Sequence, residues 1–301
     1  MFRHVLVPLD GSRLAEAAVP PAATIAQKLG ASLTLIHVIE RNAPEQVHGD
    51  RHLTTVDEAM AYLEDTARRF LPAEVHAQTH VHTAEVTDVA RSIVEHADEL
   101  EPDLIVLCTH GRTGPREFLF GSIAQQVVAF GTTPVLLVPP RFVSQPPEFL
   151  GTSIVVPLDA DPDHARALPV AAGVARPCGV GLHLVMVVPT PETLAGREAA
   201  TARLLPSATR ALLDLDEAGA EEYLRGQVDP LAATGLKVTM EIVRGDPPAE
   251  IVRVAERVKA GLIAMAVHGT MGSEAFWARS VPPKVASRTS IPVLLIPIRE
   301  R

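Results

Sequence analysis

The chain has 301 residues, enough for two domains of ordinary size. Apolar residues make up 47% and charged residues 21%, a balance that excludes intrinsic disorder. The net charge is −9, with 11 Lys+Arg against 18 Asp+Glu in residues 1–145 and 16 against 18 in residues 146–301. Without a Lys/Arg cluster such a chain is a poor partner for nucleic acid, whose binding rests on neutralising phosphates.

The first predicted element is a strand at Val5-Leu-Val-Pro-Leu-Asp10, a short β-branched run suited to burial on both faces of a parallel sheet. After Ser12, the residues Leu14, Ala18, Ala22, Ile25 and Leu29 recur three or four apart and predict a helix that Gly30 stops. Pro20 and Pro21 should kink or interrupt its middle. A second strand follows at Leu33–Val38. The polar segment Arg41–Thr55 lacks a period and is expected to lie over the strand ends as a lid. Val56–Phe70 predicts the next helix, the stretch holding His76, His80 and His82 an edge strand, and Val86–Leu100 a third helix. Leu104 opens another strand, Gly121–Phe130 reads as a fourth helix, and Pro134–Pro139 as a final strand. Pro139–Gly151 is proline-rich and aperiodic. The domains are therefore set at 1–141 and 152–301, with 142–151 as linker.

The pattern then begins again. Val5–Asp10 returns as Ile154-Val-Val-Pro-Leu-Asp159, and Leu33–Val38 as Leu182–Val187, both at an offset of 149. Leu104–Gly111 returns as Leu262–Gly269, and Pro134–Pro139 as Pro292–Pro297, both at 158. Four anchors in one order mark a tandem duplication. Alternating strands and helices in each half predict an α/β fold of two doubly wound parallel-sheet domains.

In such sheets ligands bind beyond the carboxyl ends of the strands. Those ends in repeat one are Pro8-Leu-Asp-Gly-Ser12 and Cys108-Thr-His-Gly111, and Gly121-Ser122-Ile123 opens the last helix. Glycines there allow an anion close to the backbone, whose first helical N–H groups point at it. Ser122 adds a hydroxyl, and Asp10 suits ribose hydroxyls or a phosphate-bound Mg²⁺. These residues outline a nucleotide site, and two ordinary turns would account for the glycines equally well.

The whole arrangement is more specific. A strand ending Val-Pro-Leu-Asp-Gly-Ser, a strand ending Thr-His-Gly-Arg-Thr-Gly, then Gly-Ser, a helix and Pro-Val-Leu-Leu-Val resembles the universal stress protein family over nearly the whole chain. The resemblance implies five-stranded parallel sheets, ATP bound through a Gly-x2-Gly-x9-Gly-Ser/Thr loop, and a regulatory role in stress rather than efficient catalysis. Because domains of this family pair through their last strands, it also implies a pseudo-dimer within one chain. By the same resemblance the ATP site of repeat one comprises Pro8, Asp10, Val38, Leu107, Cys108, Gly111, Arg112, Gly121, Ser122 and Ile123, with Asp10 as a metal ligand through Mg-ATP. Cys108 departs from the pattern by standing where the first glycine belongs. Repeat two departs further: it keeps Asp159, Gly269 and Ser280, but Ala266 replaces the first glycine and Arg279 the third. Two readings of it stand: a degenerate loop kept for packing, or phosphates gripped by the Arg279 guanidinium. Phe276 and Trp277 are expected to fill the loop space or pack at an interface. At most one strong site per chain is expected.

Two rivals are carried forward beside the binding module. The first is a scaffold of the same fold that binds no nucleotide, and the second a slow ATPase or phosphotransferase using Asp10 to hold Mg²⁺ and His110 or Ser122 near the γ-phosphate. Separately, His76, His80 and His82 would fall on one face of a strand, where a metal site stands against the simpler account of an exposed edge strand. His110 and His268 read more simply as loop partners, and Cys108 as a buried thiol rather than a redox sensor. No Gly-Lys-Ser/Thr or Gly-x-Ser-x-Gly motif occurs. The most apolar stretch, 167–189, is broken by Arg176, His183 and prolines and falls short of the ~20 apolar residues a bilayer needs. Pro8 and Asp10 cut short any leader. Cys108 and Cys178 suit a reducing, cytoplasmic compartment. A homodimer and an unidentified regulatory protein are the partners expected besides the adenine nucleotide.

Overall fold

The computed structural model describes residues 2–109, 122–140, 149–194, 196–268 and 280–298. Repeat one contributes strands β1 (His4–Pro8), β2 (Ser32–Glu40), β5 (Ala77–Val86), β6 (Leu104–Cys108) and β7 (Val135–Val138), with a small hairpin of β3 (Gln46–Val47) and β4 (Asp50–Arg51). Its helices are α1 (Val19–Leu29), α2 (Val56–Phe70), α3 (Val89–Leu100) and α4 (Ser122–Phe130). Repeat two contributes β8 (Leu150–Gly151), β9 (Ser153–Leu158), β10 (Gly181–Val188), β11 (Val238–Arg244), β12 (Ala260–His268) and β13 (Val293–Ile298). Its helices are α5 (Ala167–Cys178), α6 (Gly196–Leu204), α7 (Pro206–Ala232), α8 (Pro247–Arg257) and α9 (Val281–Arg288).

Local chemistry fixes the boundaries. Thr55 caps α2 by accepting from the Glu58 amide at 3.3 Å. Asp88 does the same for α3, accepting from the Arg91 amide at 3.0 Å. That cap starts the third helix after Val86, which instead ends β5. The prolines of the first helix do not kink it. A short 3₁₀ turn at Ala15–Ala18 precedes α1, so Pro20 and Pro21 fall in the first helical turn, where a missing N–H costs little. Gly30 ends α1 at φ 66°, as its position predicted.

The strands form one sheet in the order β11-β10-β9-β12-β13-β7-β6-β1-β2-β5. Within each half every pairing on this path is parallel, and the halves meet at one antiparallel joint that sets Leu294 opposite Leu136. The last strands of the two repeats therefore pair inside one chain, giving the intrachain pseudo-dimer. The strand order reverses beside β1 and β6 in repeat one and beside β9 and β12 in repeat two, which creates two equivalent crevices. Valine, leucine and isoleucine of the central strands are almost wholly buried on both faces, and one core layer runs through both repeats where α1 packs beside α5. No helix among the described residues is long and apolar enough to cross a membrane.

Candidate functional site

In repeat one a cavity of about 260 Å³ opens at the carboxyl ends of β1, β2 and β6. Pro8, Asp10, Val38, Leu107, Cys108 and Ile123 all line it, so these six sequence-expected residues come together. The hydrogen bonds from β2 to β1 end where the Leu9 N–H donates to the Ile36 carbonyl at 2.8 Å. Alternate residues of a parallel ladder face the same neighbour, so the backbone of Val38 is the next to face that side, beyond the end of β1. Ile123 and Ala124 bring the first turn of α4 to the cavity, where its N–H groups favour negative charge. Ser122 opens that helix. His110, Gly111, Arg112 and Gly121 lie outside the described residues.

Asp10 is held by its neighbours. Its Oδ1 accepts from the Ser12 amide at 2.9 Å and from the Ser12 hydroxyl at 2.6 Å. The Ser12 hydroxyl oxygen, fully buried, in turn accepts from the amide of Ala15, where the 3₁₀ turn begins, at 3.1 Å. This leaves Oδ2 toward the opening, 3.6 Å from His48 Nε2. The Cys108 thiol is pushed up to about 12 by burial, and the Asp10 charge adds to the effect. It donates to the Thr109 carbonyl at 3.3 Å and is an inert packing group, not a thiolate.

The segment 41–55 does cover the crevice, and it does so as a hairpin. His48 and Gly49 form its turn with positive φ of 51° and 88°, the conformation a two-residue hairpin connection requires. Val47, His48 and His52 line the cavity from above, and the Arg13 amide donates to Asp50 at 2.9 Å. Leu53 closes down on Gly11, where a Cβ would stand 2.7 Å from Leu53 Cγ. His37, which sequence reasoning passed over, also lines the cavity and is 2% exposed. Its Nδ1–H donates to the Leu9 carbonyl at 2.7 Å, and Nε2 has no hydrogen-bond partner among the described residues. Burial holds this imidazole below its ordinary range, against the pull of the Leu9 carbonyl.

Repeat two has its own crevice, of about 310 Å³, lined by Asp159, His164, Val187, Ala266, His268 and Ser280 among others. The described residues therefore leave it open rather than packed shut. Gly269, Phe276, Trp277 and Arg279 lie outside them. Asp159 accepts from His164 Nδ1 at 2.8 Å on each carboxylate oxygen. Burial alone would raise the Asp159 carboxyl, but the hydrogen bond and charge of His164 and the nearby amides bring it below its ordinary range. His164 is raised chiefly by that hydrogen bond. The histidines of β5 resolve differently from the sequence pattern. His80 and His82 meet His96 of α3, with ring centroids at 5.1 and 4.7 Å, whereas His76 precedes the strand. No group of metal-ligating atoms is gathered there among the described residues, and β5 is one of the two edge strands of the sheet.

Comparison with known proteins agrees with this architecture. The model of the universal stress protein family matches twice, at residues 1–139 and 152–297. A universal stress protein of Synechocystis is 23% identical over 314 residues, covering 97% of this chain and 99% of that protein. The single-domain universal stress protein YxiE of Bacillus subtilis is 28% identical over 150 residues, 46% of this chain and 99% of its own length. Among solved structures, a universal stress protein from Archaeoglobus fulgidus superposes with a TM-score of 0.64 at 18% identity, covering 98% of this chain and 96% of that one.

Proposed function

The chain belongs to the universal stress protein family as a member with two tandem domains, and on that premise we propose that it is a stress-response regulatory protein binding ATP in repeat one. The observation that carries this reading is the repeat-one cavity, an adenosine-sized recess at the switch point onto which the first turn of α4 opens. The backbone of Val38 would take the adenine edge, with Ile36 and Leu107 as apolar walls. Asp10 Oδ2, left over from the bonds to Ser12, would serve the ribose hydroxyls or a Mg²⁺ carried by the phosphates. Gly111, Arg112, Gly121 and Ser122 would hold the triphosphate.

Repeat two is the weaker host in this reading. Asp161 and Asp163 follow Asp159 around its strand end, and their charge repels an unescorted phosphate. ATP is then a regulatory ligand, and the response passes to a protein partner through the surfaces around the site.

The test is equilibrium binding of Mg-ATP to the full chain and two variants. Gly121→Val should weaken binding at least ~100-fold, about 2.7 kcal/mol, with the far-ultraviolet spectrum unchanged. Gly269→Val should stay within about threefold of the parent. The opposite ranking would place the nucleotide in repeat two, unchanged affinity in both would place it elsewhere on the chain, and no binding to the parent would leave the scaffold as the function of the fold.

A further inference from the structure

We propose that repeat two carries a binding site for a divalent transition-metal ion of the zinc class, held by Asp161, His164 and His268 where β9 and β12 end. One ligand atom from each of these side chains lies within 4.8 Å of the other two, and among the described residues no other three metal-ligating side chains gather in this way. Ligand atoms about 2.1 Å from a tetrahedral zinc ion stand roughly 3.4 Å apart, a closure within reach of side-chain rotation. The rings of His164 and His268 lie edge to face with centroids 5.2 Å apart.

The surroundings are those a metal requires. Asp159 accepts from His164 Nδ1, which fixes the ring and its tautomer and leaves Nε2 as the coordinating nitrogen. A carboxylate behind a histidine is the usual outer support of a zinc ligand. Asp159 also accepts from the Asp161 amide at 3.2 Å, and Asp161 Oδ1 from the Asp163 amide at 2.9 Å, so the loop bearing two of the ligands is already organised. One Asp161 oxygen remains for the ion. Two imidazoles with one carboxylate suit zinc, nickel or copper and are too nitrogen-rich for magnesium or calcium. Three protein ligands leave a coordination position for water or for an anionic group in the adjoining cavity, which His164 and His268 both line.

The cluster is private to this half of the molecule. At the offset of 149, repeat one has Ser12 in place of Asp161 and Ala15 in place of His164. Ser12 is spent on Asp10 and on the Ala15 amide. Repeat two thus presents ligand side chains at the positions where repeat one has Ser12 and Ala15.

The test uses the full chain stripped with a chelator, without nucleotide, titrated with Zn²⁺ in a calorimeter and with Co²⁺ by visible absorption. One high-affinity equivalent is expected, together with the intense Co²⁺ bands of a four- or five-coordinate site. His268→Ala and Asp161→Ala should each weaken binding at least ~10-fold, and Asp159→Asn, through loss of the support behind His164, by roughly 10- to 100-fold. His96→Ala, in the other histidine cluster, should change nothing. Thermal melts of the variants separate lost ligation from lost fold, and His268→Gln serves if the alanine variant unfolds. Equal zinc affinity in the His164→Ala/His268→Ala double variant, or only the weak bands of hexa-aquo Co²⁺, overturns the proposal. Because no nucleotide is present, the outcome is independent of the ATP reading of repeat one.

Discussion

At single residues, two positions make claims that can be measured. Gly261 is the second residue of strand β12, where Leu150–Gly151 pairs with it antiparallel, and an added Cβ would stand 1.9 Å from the Leu150 carbonyl carbon. Backbone cannot yield there as a side chain would, so Gly261→Ala should cost about 2–3 kcal/mol and lower the melting temperature accordingly. An unchanged melt would contradict so close an approach of the Leu150 backbone to Gly261. His37 is the second position. Its folded-state pKa lies below that of the unfolded chain, so its contribution to stability is complete above about pH 6.5 and is lost as pH falls further, because the unfolded state binds the proton first. Between pH 7 and 5 the parent should therefore lose stability more steeply than His37→Gln, by up to about 1.4 kcal/mol per pH unit. Parallel pH profiles would contradict the assignment. Nothing in the sequence singled out His37, because its importance comes from the Leu9 carbonyl on one nitrogen and an unpartnered second nitrogen beside a cavity.

Among the elements, those with a period or a cap were legible and those built by contact were not. The helix α2 declares itself through Thr55, acidic residues in its first turn and Arg68 and Arg69 in its last. The hairpin of β3 and β4 has two residues per strand, too few for any alternation, and only His48-Gly49 marks its turn. It matters all the same, since Val47, His48 and His52 roof the repeat-one cavity. Replacing 46–51 with a short Gly/Ser loop should speed nucleotide dissociation by about 10-fold and leave association within about threefold, as covering elements act mainly on the off-rate. Stopped-flow release of a fluorescent adenine nucleotide checks this, and an unchanged off-rate would show that the hairpin does not cover the ligand.

For the molecule as a whole, the duplicated anchors foretold the architecture well, because a strand buried on both faces must be written as a continuous apolar run. Val5–Leu9 and Ile154–Leu158 have little freedom to be anything else. The joint between β7 and β13 came from the family resemblance, and its register, Leu136 against Leu294, came only from the structure. It leaves β5 and β11 as the two ends of the sheet. The difference between the repeats was only half legible. Lost glycines in repeat two are visible in the sequence, whereas Asp161, His164 and His268 meet only after β9 and β12 are placed side by side. The two halves thus share a frame and present different chemistry at equivalent crevices. The most direct test of that division is calorimetric titration of the nucleotide-stripped, metal-free chain with ATP and Mg²⁺, fitted for stoichiometry. One equivalent per chain, lost in Gly121→Val, is the predicted result; two equivalents, or none, would contradict a single ATP site in repeat one.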